Sequence, residues 1–192
     1  MRLIIATGNA GKLREIRAIL GEKFDEILSM KEAGITHETV EDGSSFLENA
    51  QKKAREIAEI AGCAALADDS GICVDALGGA PGIYSARFCG RHGDDEANNR
   101  LLVEKLQGVE DRSAHYTCAI SLAFPDGSEK HAEGYLHGTL ADPAAGTINV
   151  YSVMNTLNPA DWSDADFDTL CTMQERVNDL IGQLTEDPRF TK

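Results

Sequence analysis

The order of elements at the N-terminus restricts the fold of this chain more than any other feature. Residues 3–6 form a short apolar run that is closed by Thr7-Gly8-Asn9, which predicts a buried strand ending in a turn. From Gly11 to Leu20 the apolar residues recur at helical spacing. Strand, glycine turn and helix together form a unit that directs backbone N–H groups at an anion.

Similar patterns predict further elements along the chain. We expect strands near residues 26–30, 64–67, 72–77, 115–123 and 131–137, and helices over residues 44–61 and 94–106. Ser44 or Ser45 caps the first of these helices. The strand at 64–67 is expected to end abruptly at Asp68. Apolar spacings of three and four from Phe167 to Leu184 predict one more amphipathic helix.

Length and charge limit the classes of partner. A chain of 192 residues with 42% apolar residues favours one compact domain with a buried core. The formal net charge of −14 argues against nucleic-acid binding, because phosphate backbones are held by clusters of Lys and Arg. A triphosphate that arrives with Mg²⁺ is partly neutralised and stays compatible with an acidic cleft.

The spacing of the cysteines and the hydropathy of the sequence indicate the cellular compartment in which the protein is expected. The five cysteines are odd in number and widely spaced, so we expect free thiols in a reduced, cytoplasmic protein. No stretch approaches the ~20 apolar residues that cross a bilayer, and no membrane partner is expected.

The first candidate site is the N-terminal turn with the start of its helix. Its members offer backbone amides to a phosphate, and Lys12 adds a mobile positive charge. They are Thr7, Gly8, Asn9, Ala10, Gly11 and Lys12. The alternative is an ordinary strand–turn–helix corner with a surface lysine. The spacing does not fit a Walker loop, since Leu13 follows the lysine.

The second candidate site is the run Asp68-Asp69-Ser70-Gly71. Adjacent carboxylates at the end of a buried strand project to opposite sides, so one can bind a metal while the other orients water. The alternative is a solvated acidic turn. Glu41 also precedes a helix, where a carboxylate more often serves the positive end of the helix dipole.

Taken in order, these segments resemble the inosine triphosphate pyrophosphatase family, the pyrophosphatases of non-canonical purine nucleoside triphosphates. The resemblance covers residues 1–146 and is most specific between Asp68 and Arg87. The matching strings are Ala6-Thr7-Gly8-Asn9 with Lys12 and Glu15, Glu41-Asp42-Gly43, Phe46-Leu47-Glu48-Asn49-Ala50 with Lys53-Ala54, Ala67-Asp68-Asp69-Ser70-Gly71, Val74-Asp75-Ala76-Leu77, and Pro81-Gly82-Ile83-Tyr84-Ser85-Ala86-Arg87.

The resemblance implies an α/β fold and a reaction. The fold is a long, mixed, curved sheet with flanking helices in two lobes around a central cleft, all within one domain of residues 1–192. The reaction is the Mg²⁺-dependent hydrolysis of ITP, dITP or XTP to a nucleoside monophosphate and pyrophosphate. The resemblance also implies a homodimer.

Site roles transfer from the family to matching positions. Residues 7–12 would hold the triphosphate, and Ser70 would contact the substrate. Glu41 and Asp69 would hold Mg²⁺, with Asp68 beside them. Asp69 would also accept the proton of the attacking water.

The segment 147–192 departs from the family pattern. It lacks the Gly-Phe-Gly-Tyr-Asp-Pro stretch, the later lysine and the Ser-His-Arg triplet with which the family reads the base. A site that loses such hydrogen bonds loses discrimination, so we expect weak or unselective turnover. The alternatives are a catalytically impaired nucleotide-binding or interaction protein on the same scaffold, and a pyrophosphatase for another nucleotide, such as a modified pyrimidine.

Overall fold

The computed structural model describes residues 1–8, 10–21 and 24–140 of the chain. Asn9 and the segment 147–192, with its predicted helix from Phe167 to Leu184, lie outside the described residues. The elements are β1 (Arg2–Ala6), α1 (Ala10–Leu20), β2 (Glu26–Ser29), α2 (Phe46–Ala61), β3 (Ala64–Val74), α3 (Asp95–Lys105), β4 (Ser113–Ala123) and β5 (Glu129–Thr139), with short 3-10 helices at Asp75–Leu77 and Gly82–Arg87.

The five strands form one sheet in the order β2-β1-β3-β4-β5. β1 runs parallel to both of its neighbours, whereas β4 and β5 are joined by a tight turn over residues 124–128. A hairpin of this kind reverses the chain direction, so the sheet is mixed. The expected α/β fold with a mixed sheet and flanking helices is therefore confirmed.

Residues 3–6 of β1 are buried on both faces of the sheet, which explains their unbroken apolar sequence. Leu3 and Ile5 lie in a cluster with Ile16 and Leu20 of α1. Ile4 and Ala6 point to the opposite face of the sheet, where they share a second cluster with Ala54, Ile57 and Ala58 of α2. The alternation of side chains along one strand thus places α1 and α2 on opposite faces of the sheet.

α2 has defined signals at both ends. The Ser45 side chain accepts a hydrogen bond from the Glu48 backbone N–H at 3.1 Å, which decides between the two candidate caps. Glu48 in turn accepts from the backbone N–H of Ser44, the residue before the cap, at 2.6 Å, so this side chain fixes the entry of the chain into the helix. The helix ends at Gly62, which adopts the left-handed conformation at φ 62°.

The expected end of the strand at Asp68 is wrong, because β3 continues to Val74 as one strand of 11 residues. Its parallel pairing with β1 extends to the pair Ala6 and Ala67, and β4 flanks it on the other side. The carboxylates of Asp68 and Asp69 therefore lie inside β3, just beyond the point where β1 ends. Gly71 marks a close approach rather than a turn, since a Cβ there would lie 2.8 Å from the Gly82 carbonyl oxygen.

The described chain forms two compact units. The first contains Met1–Asp69 and Cys118–Gly134, with the two clusters on the faces of β1 as its core. The second contains Ser70–Thr117 and residues 135–140. Its core consists of Ile72, Val74, Leu102, Leu106, Ala114 and Leu140. No helix of the described residues is both long and apolar enough to cross a membrane.

Candidate active site

The corner between β1 and α1 places the start of a helix directly after a buried strand. Thr7 and Gly8 follow the buried strand, and the helix begins at Ala10. The first turn of α1 contains no acidic residue, whereas those of α2 and α3 do. The positive end of the α1 dipole is therefore not neutralised by a carboxylate of its own first turn, as a phosphate site requires.

Lys12 lies in the first turn of α1 and pairs with Asp68 of β3. Its Nζ donates a hydrogen bond to Asp68 Oδ2. Asp68 is only 8% exposed, and a buried carboxylate needs such a partner to remain charged. The structure thus brings a predicted phosphate-binding residue together with a predicted metal-site residue.

Lys53 of α2 links the segment that carries Glu41 to the same part of β3. Its Nζ lies 2.5 Å from Glu41 Oε1 and donates to the Asp68 backbone carbonyl at 3.0 Å. One ammonium group therefore holds the Glu41 carboxylate close to the Asp68 backbone.

Asn49, one turn before Lys53 on α2, makes the corresponding link to Asp69. Its Nδ2 donates to Asp69 Oδ2 at 2.9 Å, and its Oδ1 accepts from the Gly43 backbone N–H at 2.8 Å. The side chain is completely buried. Asp69 and the segment beside Glu41 are thus connected through one amide group.

Sequence reasoning placed Asn49 and Lys53 in a family-like string but gave neither a role. A signal was present in the helical pattern. Both positions fall on the face that also carries Phe46, Ala50 and Ala54, where an amphipathic helix normally presents apolar residues. A polar side chain on a buried helix face requires a partner, and here the partners are the predicted site residues.

Ser70 belongs to the second unit and contacts Tyr116, whose hydroxyl donates to Ser70 Oγ at 3.0 Å. Its substrate contact stays a prediction. Arg87, also in the second unit, places its guanidinium 5.4 Å from the centre of the Tyr84 ring, a distance typical of a cation–π contact.

The donor chemistry of the first unit fits Mg²⁺, which prefers carboxylate oxygens. Within residues 1–8, 10–21 and 24–140, no group of three or more His, Cys, Asp or Glu side chains is arranged to hold a metal. Mg²⁺ is usually bound by one or two carboxylates together with substrate phosphates, rather than by a complete protein cage. Glu41, Asp68 and Asp69 therefore remain the predicted metal site.

Cys118 of β4 lies in the electric field of these carboxylates. Burial, reinforced by the negative charge of Asp68, raises the pKa of the Cys118 thiol to about 12. Cys63, Cys73 and Cys89 are also free thiols. A thiol that stays protonated near neutral pH is a poor nucleophile, so Cys118 supplies no thiolate beside the carboxylates.

Comparison with known proteins identifies the relatives of the chain. The sequence profile of the Ham1 family matches residues 3–151. The chain belongs to the Ham1 family. A dITP/XTP pyrophosphatase of Streptomyces avermitilis is 49% identical over 160 residues, covering 76% of this chain and 75% of the relative. A dITP/XTP pyrophosphatase of Geobacter sulfurreducens is 49% identical over 148 residues, covering 76% and 74%.

Solved structures of similar proteins share the fold. The nucleoside-triphosphatase / dITP/XTP pyrophosphatase of Mycobacterium abscessus matches with a TM-score of 0.65 and 41% identity, over 74% of this chain and 75% of that one. The Staphylococcus aureus Ham1 protein matches with a TM-score of 0.68 and 38% identity, over 74% and 73%. The resemblance of the N-terminal three quarters is thereby confirmed.

Proposed function

We propose that this Ham1-family chain hydrolyses non-canonical purine nucleoside triphosphates (ITP, dITP and XTP) to a nucleoside monophosphate and pyrophosphate, with Mg²⁺ as cofactor. The chain is an enzyme, a nucleoside triphosphate pyrophosphatase that acts on an acid anhydride. The main support for the proposal is a contact in the first unit. Lys12, from the predicted phosphate-binding turn, pairs with Asp68, from the predicted metal site.

Charge balance supports a divalent cation in the reaction. Glu41, Asp68 and Asp69 contribute three carboxylates, whereas Lys12 and Lys53 contribute two ammonium groups. A triphosphate adds several further negative charges, which the two lysines cannot neutralise. When bound, Mg²⁺ supplies this missing positive charge and polarises the phosphate oxygens.

Each residue then has a distinct role. The amides of residues 7–12, with Lys12, hold the triphosphate, and Ser70 contacts the substrate. Water attacks the α-phosphorus, the bond from that atom to the α–β bridging oxygen breaks, and pyrophosphate leaves. Asp69 accepts the proton that the water releases. Glu41 and Asp69, with Asp68 beside them, are the residues that would hold Mg²⁺.

The relatives favour this function over the catalytically impaired alternative, because proteins 49% identical to the chain carry the name of a pyrophosphatase. The homodimer and the cytoplasmic location implied at the level of sequence belong to the same proposal. Light scattering of the purified chain tests the first, and fractionation of the cells that make it tests the second.

Product analysis tests the reaction. The protein is incubated with Mg²⁺ and dITP, XTP, dGTP, UTP or ATP, and pyrophosphate and monophosphate are measured separately. We expect equal amounts of the two products from dITP and XTP, abolition by EDTA, and a loss of at least about 100-fold in Asp69→Asn. If the unmodified chain releases no more pyrophosphate than Asp69→Asn from any of the nucleotides, the proposed enzymatic function is wrong. Orthophosphate in place of pyrophosphate contradicts cleavage between the α- and β-phosphates.

A further inference from the structure

Asn49 is a polar side chain on the buried face of α2 with no exposed surface. Burying an amide without hydrogen bonds costs free energy, so a helix face that needs only packing would carry Ala or Leu here. Both ends of this amide are instead hydrogen-bonded, one to Asp69 and the other to Gly43. Its two partners lie on different segments of the chain, and each segment carries a predicted metal-site carboxylate.

The orientation of the amide follows from chemistry. The Gly43 backbone N–H can only donate, so the Asn49 atom that faces it must be the acceptor oxygen. The amide NH₂ must then face Asp69, to which it can only donate. The environment of Asn49 therefore requires Asp69 Oδ2 to act as an acceptor, as a carboxylate that holds a cation or takes a proton does.

We propose that Asn49 is a positioning residue that fixes Asp69 and the segment of Glu41 to Gly43 relative to each other. The inference rests on the proposed function for its catalytic consequence, but the geometric role stands independently. Glu41 and Asp69 are far apart in sequence and sit on a loop and a strand, so no shared element sets their separation. The Asn49 amide and the Lys53 ammonium of α2 provide that constraint.

The hydrogen bond between Gly43 and Asn49 can also be disturbed by a substitution at Gly43, which leaves Asn49 unchanged. A Cβ on Gly43 would lie 2.7 Å from Asn49 Oδ1 and 2.9 Å from Glu48 Cβ, closer than van der Waals contact permits. The Gly43 backbone is not in the left-handed region, so alanine there is disfavoured by this crowding alone. Gly43→Ala must therefore displace either the segment or the Asn49 amide.

The chain supplies matched controls for Gly43→Ala and for Asn49→Ala, which removes the amide. Asn98 of α3 is 3% exposed, and its Oδ1 also accepts from a backbone N–H, that of Cys89, at 2.8 Å. Unlike Asn49, its Nδ2 has no partner in the described structure. Gly138 of β5 has open space where a Cβ would be placed. Asn98→Ala and Gly138→Ala thus match the chemical changes outside the proposed contact.

Metal binding by the full chain is the primary readout, with the complex of Mn²⁺ and inorganic pyrophosphate as the probe in calorimetry, because carboxylates and phosphates together complete such a site. We expect Asn49→Ala and Gly43→Ala to weaken Mn²⁺ binding ~10–100-fold, as loss of a residue that orients a metal ligand does. Asn98→Ala and Gly138→Ala are expected to bind Mn²⁺ like the unmodified chain. Urea unfolding of all four variants reports any loss of stability separately.

Turnover of dITP supplies the second readout, with kcat expected to fall ~10–100-fold in both site variants. Mn²⁺ binding unchanged in Asn49→Ala and Gly43→Ala overturns the positioning role. A decrease of the same size in Asn98→Ala also overturns it, because general destabilisation then explains the effect. If the unmodified chain releases no pyrophosphate, the proposed function fails, and Mn²⁺ binding still decides the role of Asn49. A site variant that does not fold leaves the decision to the other one.

Discussion

Lys12 and Lys53 hold neighbouring groups through different contacts, and this difference separates their roles. Lys12 pairs with the side chain of Asp68, whereas Lys53 pairs with Glu41 and also donates to the Asp68 backbone. Under the proposed function, the Lys12 ammonium is expected to exchange its carboxylate for a phosphate when a triphosphate arrives. Lys53 contacts Glu41 directly and therefore holds the segment that carries it.

Replacing Lys12 by alanine is expected to weaken triphosphate binding more than it slows the chemical step. Loss of a hydrogen bond to a charged group costs ~1.5–3 kcal/mol, so KM for dITP should rise about tenfold or more with a smaller change in kcat. Steady-state kinetics measure both constants. Lys105→Ala, which removes a lysine that stacks on Phe88 in the second unit, is the control. An unchanged KM in Lys12→Ala would contradict the phosphate role.

Cys118 provides a chemical test of the environment beside the carboxylates. Because burial and Asp68 raise the pKa of its thiol to about 12, the thiol stays protonated at pH 8, where an ordinary cysteine is already partly thiolate. We expect iodoacetamide at pH 8 to leave Cys118 unmodified in the native protein and to alkylate it after unfolding in urea. Mass spectrometry of the peptides measures the alkylated fraction of Cys118 in the native and in the unfolded protein. Rapid alkylation of Cys118 in the native protein would contradict the prediction.

At the scale of elements, α2 anchors a segment that has no regular structure of its own. His37 and Thr39 both contact Glu56, each at 2.7 Å, and Lys52 pairs with Asp42 at 2.6 Å. Asn49 adds the bond to Gly43. Four residues of the segment therefore contact successive turns of α2, and these contacts define where Glu41 lies.

Glu56 tests this anchoring and gives it a pH dependence. The hydrogen bond from His37 is the main cause that lowers the pKa of Glu56 below its ordinary value of 4.5. A lowered carboxyl pKa means that the stabilisation is complete above pH 4.5 and is lost as the pH falls through the folded pKa. We expect Glu56→Gln at pH 7 to speed amide hydrogen exchange in residues 37–43. Glu59→Gln, on the same helix, is the control, and equal exchange in both variants would show that Glu56 does not hold the segment.

Sequence reasoning located the elements well, because each one has a local cause. The apolar run of β1, the Ser45 cap and the Gly62 end of α2 depend on neighbouring residues. The sequence-based prediction failed at Asp68, where two adjacent carboxylates suggested the end of a strand. The strand continues there beside β4, and such long-range pairing leaves no local signal. The contacts of Asn49 and Lys53 were missed for the same reason, since their partners lie on other segments.

At the scale of the whole molecule, the relatives and the site contacts describe the same part of the chain. The family profile covers residues 3–151, and the contacts of Lys12, Asn49 and Lys53 all lie in the first compact unit. The proposed binding of phosphate and metal therefore rests on residues that share a unit and a family pattern. Recognition of the base is expected to depend on a different part of the sequence, 147–192, which lacks the base-reading residues that the family resemblance implies.

This division predicts that the segment 147–192 can be exchanged to change selectivity without creating or destroying the hydrolytic step. We expect the ratio of kcat/KM for dITP to that for dGTP to be at least about tenfold lower in this chain than in the Streptomyces avermitilis dITP/XTP pyrophosphatase. A site built to hydrogen-bond a base rejects analogues by several orders of magnitude, and removal of its donors reduces that margin. A chimera that joins residues 1–146 of this chain to the corresponding tail of that relative should regain the ratio while Asp69→Asn still inactivates it. A chimera as unselective as the unmodified chain would place base recognition within residues 1–146, and equal ratios in the two natural proteins would mean that the missing residues do not control selectivity.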